Sequence, residues 1–124
     1  MPAAMTVRRK RRGQKGENAA AHYLEKIGYR VLQRNYTCSI GEIDLIALDK
    51  DVLVFVEVRS HSSLEFGLPQ ESVTKHKQNK LRQLAWYFLK AEGKTESRCR
   101  FDVIAVLFDW EDVIKDLEHI KNAF

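Results

Sequence analysis

The sequence predicts an α/β domain with a mixed central β-sheet flanked by helices, and three observations predict it. Residues 41–60, GEIDLIALDKDVLVFVEVRS, hold two alternating, β-branched-rich segments around a short polar break, Asp49-Lys50-Asp51, which is the pattern of a β-hairpin. Amphipathic stretches with helical spacing precede and follow that hairpin. A further apolar run, Arg100 to Phe108, is hydrophobic on both faces, as a central strand is. Helix, hairpin, helix and strand in succession make a layered α/β arrangement whose strand order stays open.

The first helix is expected over Glu17 to Ile27, closed by Gly28 at a C-cap position. Its apolar stripe is Ala20, Ala21, Leu24 and Ile27, and Glu17 lies on that stripe one turn earlier. An inward carboxylate at a helix start either complements the helix dipole or reaches a functional site. Tyr29 to Tyr36 follows as a strand with imperfect alternation. Arg34 and Asn35 at its end more often satisfy loop carbonyls than touch a phosphate.

The hairpin strands are Glu42 to Leu48 and Val52 to Arg59. With Lys50-Asp51 as a tight turn, Asp44 faces Glu57 and Glu42 faces Arg59 on one side of the sheet. Opposed carboxylates on an apolar hairpin repel each other, so a cation should sit between them, most simply a divalent metal. Arg59 answers Glu42 across the hairpin in the plainer reading.

A loop is expected from Ser60 to Gln70, with Gly67 and Pro69 as punctuation and His61 as a surface histidine more readily than a phosphate contact. The second helix spans about Glu71 to Ala91 and stops at Gly93, with Val73, Leu81, Leu84, Ala85 and Phe88 as its buried stripe. Lys77 lies at the N-terminal end of that stripe and should point toward the sheet, or snorkel over apolar surface; Gln78 neighbours it. In the next strand Asp102 is the polar exception, best satisfied by Arg100 or a nearby backbone donor. Residues 109–124 fit either a short helix over Asp112 to Lys121 or an edge strand over Leu117 to Ile120.

The 124 residues suffice for one domain with a sizeable core, expected over residues 13–124. Residues 1–12 read as a basic flexible arm ending in Arg8-Arg9-Lys10-Arg11-Arg12, a run that repels itself, and either neutralises phosphates or stays a solvated tail. A net charge of +4 and a pI of about 9.1 bias the chain modestly toward polyanions. No apolar run approaches a membrane span, and polar Gly13-Gln14-Lys15-Gly16 after the basic start does not make a secretory signal. Cys38 and Cys99 are isolated, which points to two free thiols in a reduced, cytoplasmic setting.

The chain also resembles a known family. Asp44 followed by Glu57-Val58-Arg59, in the pattern D and E-x-K between two helices, resembles the restriction-endonuclease-like PD-(D/E)xK nucleases. Gly16-Glu17, Gly28-Tyr29, Arg34-Asn35, Gly41-Glu42-Ile43-Asp44-Leu45-Ile46, Phe55-Val56-Glu57-Val58-Arg59, Lys77-Gln78, Arg100-Phe101-Asp102-Val103 and the terminal Asn122-Ala123-Phe124 narrow it to the YraN-like family, similar to archaeal Holliday-junction resolvases. The resemblance implies a restriction-endonuclease-like core and a metal-dependent endonuclease. Glu17, Asp44, Glu57, Arg59, Lys77 and Gln78 are its implied catalytic set, with Lys77 and Gln78 placing phosphate or water. Asp44, Glu57, Glu17 and the Val58 carbonyl would ligate Mg²⁺ or Mn²⁺. The implied partner is branched or single-stranded DNA in repair or recombination, bound through the basic arm and Lys77; homodimerisation is left open.

Arg59 departs from the motif's usual Lys. Arg stays protonated at any working pH, so it can orient a phosphate or stabilise transition-state charge but cannot pass a proton. The other class of reading is therefore a weak or inactive nuclease-fold module that binds nucleic acid or protein.

Overall fold

The computed structural model describes residues 3–62 and 73–124, with side chains described from Lys10 onward. In chain order the elements are α1 (Ala3–Lys26), β1 (Arg30–Cys38), β2 (Gly41–Asp49), β3 (Val52–Ser62), α2 (Lys75–Ala91), β4 (Cys99–Phe108) and β5 (Ile114–Ile120). The strands form one mixed sheet in the order β1-β2-β3-β4-β5. Neighbours are antiparallel except β3 and β4, which are parallel and joined through α2.

Period-two alternation sorts the apolar side chains onto two faces. Leu45, Ala47, Val54, Val56, Ile104 and Val106 pack on Ala20, Ala21 and Leu24 of α1. Ile46, Leu53, Phe55 and Val103 pack on Leu81, Leu84, Ala85 and Phe88 of α2. Each helix thus covers one face, and β3 is buried on both sides, as the all-apolar run Leu53–Val56 requires. Phe124 stacks on Phe101 at 5.2 Å, with the Arg82 guanidinium 5.4 Å from the Phe124 ring, which closes the α2 side of β4.

Both helices end in the same way. Gly28 takes φ 100° and Gly93 φ 65°, and the N–H groups of Tyr29 and Lys94 reach back to the Leu24 and Leu89 carbonyls. A residue with a Cβ is strained at such a φ, so glycine marks each stop. Thr74 caps the start of α2, its Oγ1 accepting from the Lys77 N–H at 3.2 Å.

Several boundaries differ from the sequence expectations. The first helix begins at Ala3 instead of Glu17, so the backbone of residues 3–12 is helical and continuous with α1. Its extension leans on the β4–β5 loop: Lys15 Nζ donates to the Asp112 carbonyl at 3.0 Å, and Arg12 Nε lies 3.7 Å from Asp112 Oδ1. Residues 60–62 continue β3 instead of opening a loop, because pairing with β4 extends to Ser62↔Phe108. The second helix starts at Lys75, after the Thr74 cap. Gly67, Pro69 and the expected helix start at Glu71 lie outside the described residues. The open question at the C-terminus resolves as strand: β5 pairs antiparallel with β4 along the sheet edge.

Among the described residues, no helix is long and apolar enough to cross a membrane. Cys38 and Cys99 are both free thiols.

Asp102, fully buried, has the partners that the sequence favoured and more. Arg100 Nε donates to its Oδ1 at 3.0 Å, as does the Asn122 N–H, also at 3.0 Å. His119 Nε2 lies 2.7 Å from Oδ2, and His119 Nδ1 lies 3.0 Å from the Tyr23 hydroxyl. An ionised carboxylate only accepts, so Nε2 carries the proton on that side. Burial opposes the Asp102 charge, but the hydrogen bonds from His119, Arg100 and Asn122 outweigh it and hold the carboxyl below its usual range.

Candidate functional site

The hairpin register is the one its tight turn dictates. Asp49↔Val52, Leu48↔Leu53, Ala47↔Val54, Ile46↔Phe55 and Leu45↔Val56 pair in sequence, with Lys50 taking the positive φ of the turn, 57°. Regular pairing stops after Leu45↔Val56, and the next two residues in that register are Asp44 and Glu57. There the Val58 N–H donates to Asp44 Oδ2 at 2.8 Å, so a carboxylate occupies the place of a ladder carbonyl. The site sits in that gap.

Glu57 is only 8% exposed. Burial, then the Asp44 charge, then hydrogen bonding with Asp44 push its carboxyl up to about 7, against the opposing charges of Lys77 and Arg59. Lys77, from the first turn of α2, brings Nζ to 3.6 Å from Glu57 Oε2. The lysine points at the sheet, as its place on the stripe predicts, while its side chain stays 40% exposed.

Glu17 approaches from α1. Its carboxyl is raised first by burial and then by the charges of Asp44 and Glu42, with Arg34 opposing. Next to it, a Cβ on Gly16 would meet Ser60 Oγ on β3, so α1 and β3 lie close together here. The Asn35 amide, turned nitrogen-inward, donates to Glu17 Oε1 at 2.6 Å and to Glu42 Oε1 at 3.3 Å. Arg34 donates to Asn18, which ties β1 to α1.

Other expected members stand differently. Among the described residues Glu42 has no ion pair to Arg59; its neighbour is Asn35, because β2 and β3 have already parted at that level. Gln78 uses its amide nitrogen on the Val73 carbonyl at 3.1 Å, next to the helix cap. Val58 meets the site through its N–H. Lys10 and Arg11 are exposed, Arg12 is engaged by Asp112, and the side chains of Arg8 and Arg9 lie outside the described residues. His61 lies on β3 opposite Leu107.

Asn35 is the site residue that reading along the chain underrated. Arg34↔Leu45 and Tyr36↔Ile43 flank it, which sets it across from Asp44 on the β1 side. Its φ of 51° is one that asparagine tolerates better than most residues. The signal was available in Ser39-Ile40: a tight turn there, with Cys38↔Gly41 as its closing pair, puts Asn35 level with Asp44.

Among the described residues, no group of three or more His, Cys, Asp or Glu is arranged to hold a metal ion, so Glu17 does not complete a preformed cage with Asp44 and Glu57. The donor set is a facing carboxylate pair. Such a pair suits a hard cation that keeps most of its water, as Mg²⁺ does when it binds through one or two carboxylates. The tension between Asp44 and Glu57, which raises the Glu57 carboxyl, is the kind that a bound cation relieves.

A "UPF0102 protein" of Pelotomaculum thermopropionicum is 59% identical over 120 residues, covering 97% of this chain and 100% of the relative. Proteins with the same name from Moorella thermoacetica and Desulforamulus reducens are 51% and 50% identical, each covering at least 96% of this chain and 99% of the relative. The profile described as "Uncharacterised protein family UPF0102" matches residues 16–106, a span that holds Glu17, Asn35, Asp44, Glu57 and Lys77, and the chain belongs to that family.

Proposed function

We propose that the protein is a metal-dependent endonuclease that hydrolyses phosphodiester bonds in branched or single-stranded DNA, on a restriction-endonuclease-like core. The observation that carries this reading is the Asp44–Glu57 pair at the splayed end of the hairpin, with Lys77 beside it. The likeness of Asp44 and Glu57-Val58-Arg59 to the PD-(D/E)xK motif supports it.

The chain's own residues have separable tasks. Asp44, fixed by the Val58 N–H, and Glu57 would hold Mg²⁺ or Mn²⁺ between them. When bound, the ion supplies Lewis-acid polarisation of the phosphate and a more acidic water. Lys77 and Arg59, both near enough to act on the Glu57 charge, neutralise the phosphate and its developing charge. Asn35 keeps Glu17 and Glu42 in place behind the pair. Arg59 stays protonated throughout and so orients without moving a proton.

The test is a panel of junction, flap, single-strand and duplex DNA with Mg²⁺ and Mn²⁺. Cleavage should appear with metal and vanish in Asp44→Ala and Glu57→Ala. Cleavage that survives both substitutions refutes the assignment. Arg59 in the usual lysine position favours a second reading, a nuclease-fold module that binds DNA with little or no hydrolysis. Metal-independent DNA binding without cleavage on any substrate would select it.

A further inference from the structure

Helix α2 buries Leu81, Leu84, Ala85, Phe88 and Leu89, and its opposite face carries none of these buried residues. On that face a cleft of about 490 Å³ lies between the helix and Ile40 of the β1–β2 turn, lined by His76, Asn79, Lys80 and Gln83. Lys80 runs past Gly41, so the cleft borders the start of β2, only three residues from Asp44. Further along the same helical face stand Trp86 and Tyr87, 48% and 45% exposed. Lys90 Nζ lies 5.6 Å from the centre of each ring. Positions 76, 80, 83, 87 and 90 follow the three-and-four spacing of one face, with 79 and 86 alongside. From Lys77 at the carboxylate pair to Tyr87 is about 15 Å along the helix axis.

The charge of this helix is one-sided. Lys75, Lys77, Lys80, Arg82 and Lys90 occur in it without a single Asp or Glu. A face that served only to solvate the helix would ordinarily mix signs. Half-exposed aromatic rings among cations form the combination that binds single-stranded nucleic acid, with phosphates on the cations and unpaired bases stacked on the rings. A duplex keeps its base faces hidden from such rings. A second copy of this chain would bring cations against cations.

We infer that the outer face of α2, from the His76–Lys80 cleft to Trp86 and Tyr87, is the track on which single-stranded DNA lies beside the carboxylate pair. The inference deepens the hydrolytic reading above, but binding is measurable without cleavage. Phosphates follow His76, Lys80 and Lys90, and bases stack on Trp86 and Tyr87, displacing Lys90 from over them.

The test uses the full chain in EDTA, so that no metal-dependent hydrolysis occurs. The protein has two tryptophans, so Trp110→Phe leaves Trp86 as the sole reporter. Titration with oligothymidylate should quench Trp86 fluorescence, and the affinity should fall steeply with salt. Binding of a labelled strand should weaken at least about fivefold in Trp86→Ala and stay near wild type in Trp86→Phe, because the ring and not its particular identity is needed. Lys80→Ala with Lys90→Ala should flatten the salt slope. Absent binding, or binding with Trp86 unquenched and indifferent to Trp86→Ala, overturns the inference. So does a Trp86→Ala effect on sedimentation instead of on DNA affinity, which would assign the face to a second copy. If cleavage fails on every substrate while Trp86 is still quenched, the hydrolytic reading falls and this surface stands; cleavage of single strands unaffected by Trp86→Ala gives the reverse.

Discussion

Lys77 Nζ stands 3.6 Å from Glu57 Oε2, and this contact brings α2 to the open end of the hairpin. The two groups reach each other from elements separated in sequence by the segment outside the described residues. The β2–β3 ladder ends one pair before Glu57, so the carboxyl faces Asp44 without a ladder beneath it. Burial and Asp44 make its ionisation unfavourable, and Lys77 and Arg59 only partly compensate.

That imbalance has a sign. The Glu57 carboxyl ionises at about 7 in the folded protein against an ordinary value of 4.5. The folded state therefore holds its proton more tightly, and the stability from this group is complete below pH 4.5 and lost as pH rises through 7. The loss amounts to about 3 kcal/mol at one pK unit per ~1.4 kcal/mol. In EDTA, thermal melts of wild type minus Glu57→Gln should fall across this window; parallel curves would refute the raised carboxyl.

Metal should reverse the trend. Mn²⁺ titrated by calorimetry should bind wild type and not Asp44→Asn, and Tm should rise with Mn²⁺ more above pH 7 than below it, since binding requires the ionised pair. Equal binding by wild type and Asp44→Asn would place the cation elsewhere.

The Asp102 network answers to stability and not to the site. Asp102→Ala leaves the buried His119 and the Asn122 N–H without their acceptor and Arg100 with Asp49 as its remaining carboxylate, and should cost about 3 kcal/mol with a matching fall in Tm. Because its carboxyl ionises below the usual range, the stability it adds is present above an ordinary pKa of 3.8 and is lost as pH falls further. A melt unchanged by Asp102→Ala would refute the network.

How much of this was legible along the chain follows from how local each cause is. The register that sets Asp44 level with Glu57 depends on a two-residue turn and period-two alternation, both local, and it reads directly from the sequence. Glu17 and Lys77 were legible too, because helical spacing puts each at the end of a buried stripe. The start of α1 was not, since the helix runs on ahead of Glu17 through Arg12 and Lys15, whose partner Asp112 belongs to the distant β4–β5 loop. The expected Glu42–Arg59 pair failed because ladder arithmetic was carried past the point where the strands part. His119 and Tyr23 gave no signal at all: their roles appear only when β5 joins the sheet edge beside Asp102.

Arg59 tests the reading most sharply, and the structure simplifies the test. Arg59→Lys keeps the cation near Glu57, so folding should be preserved and cleavage should stay within about tenfold of wild type or rise; tenfold is only ~1.4 kcal/mol of barrier. Arg59→Ala removes charge that would face the phosphate and should lose much more activity. It also removes a cation that favours ionised Glu57, so the Glu57 carboxyl should titrate still higher and the Mn²⁺ affinity should fall. Because Glu42 relies on Asn35 and not on Arg59, the Ala variant breaks no Glu42 pair, and a melt close to wild type would assign its lost activity to chemistry. The control is Asn35→Ala, which should lower Tm and disturb Glu17 and Glu42 together. If wild type is inert with every metal and substrate while Arg59→Lys cleaves DNA, the native protein is a binding module whose hydrolysis was blocked at this one side chain.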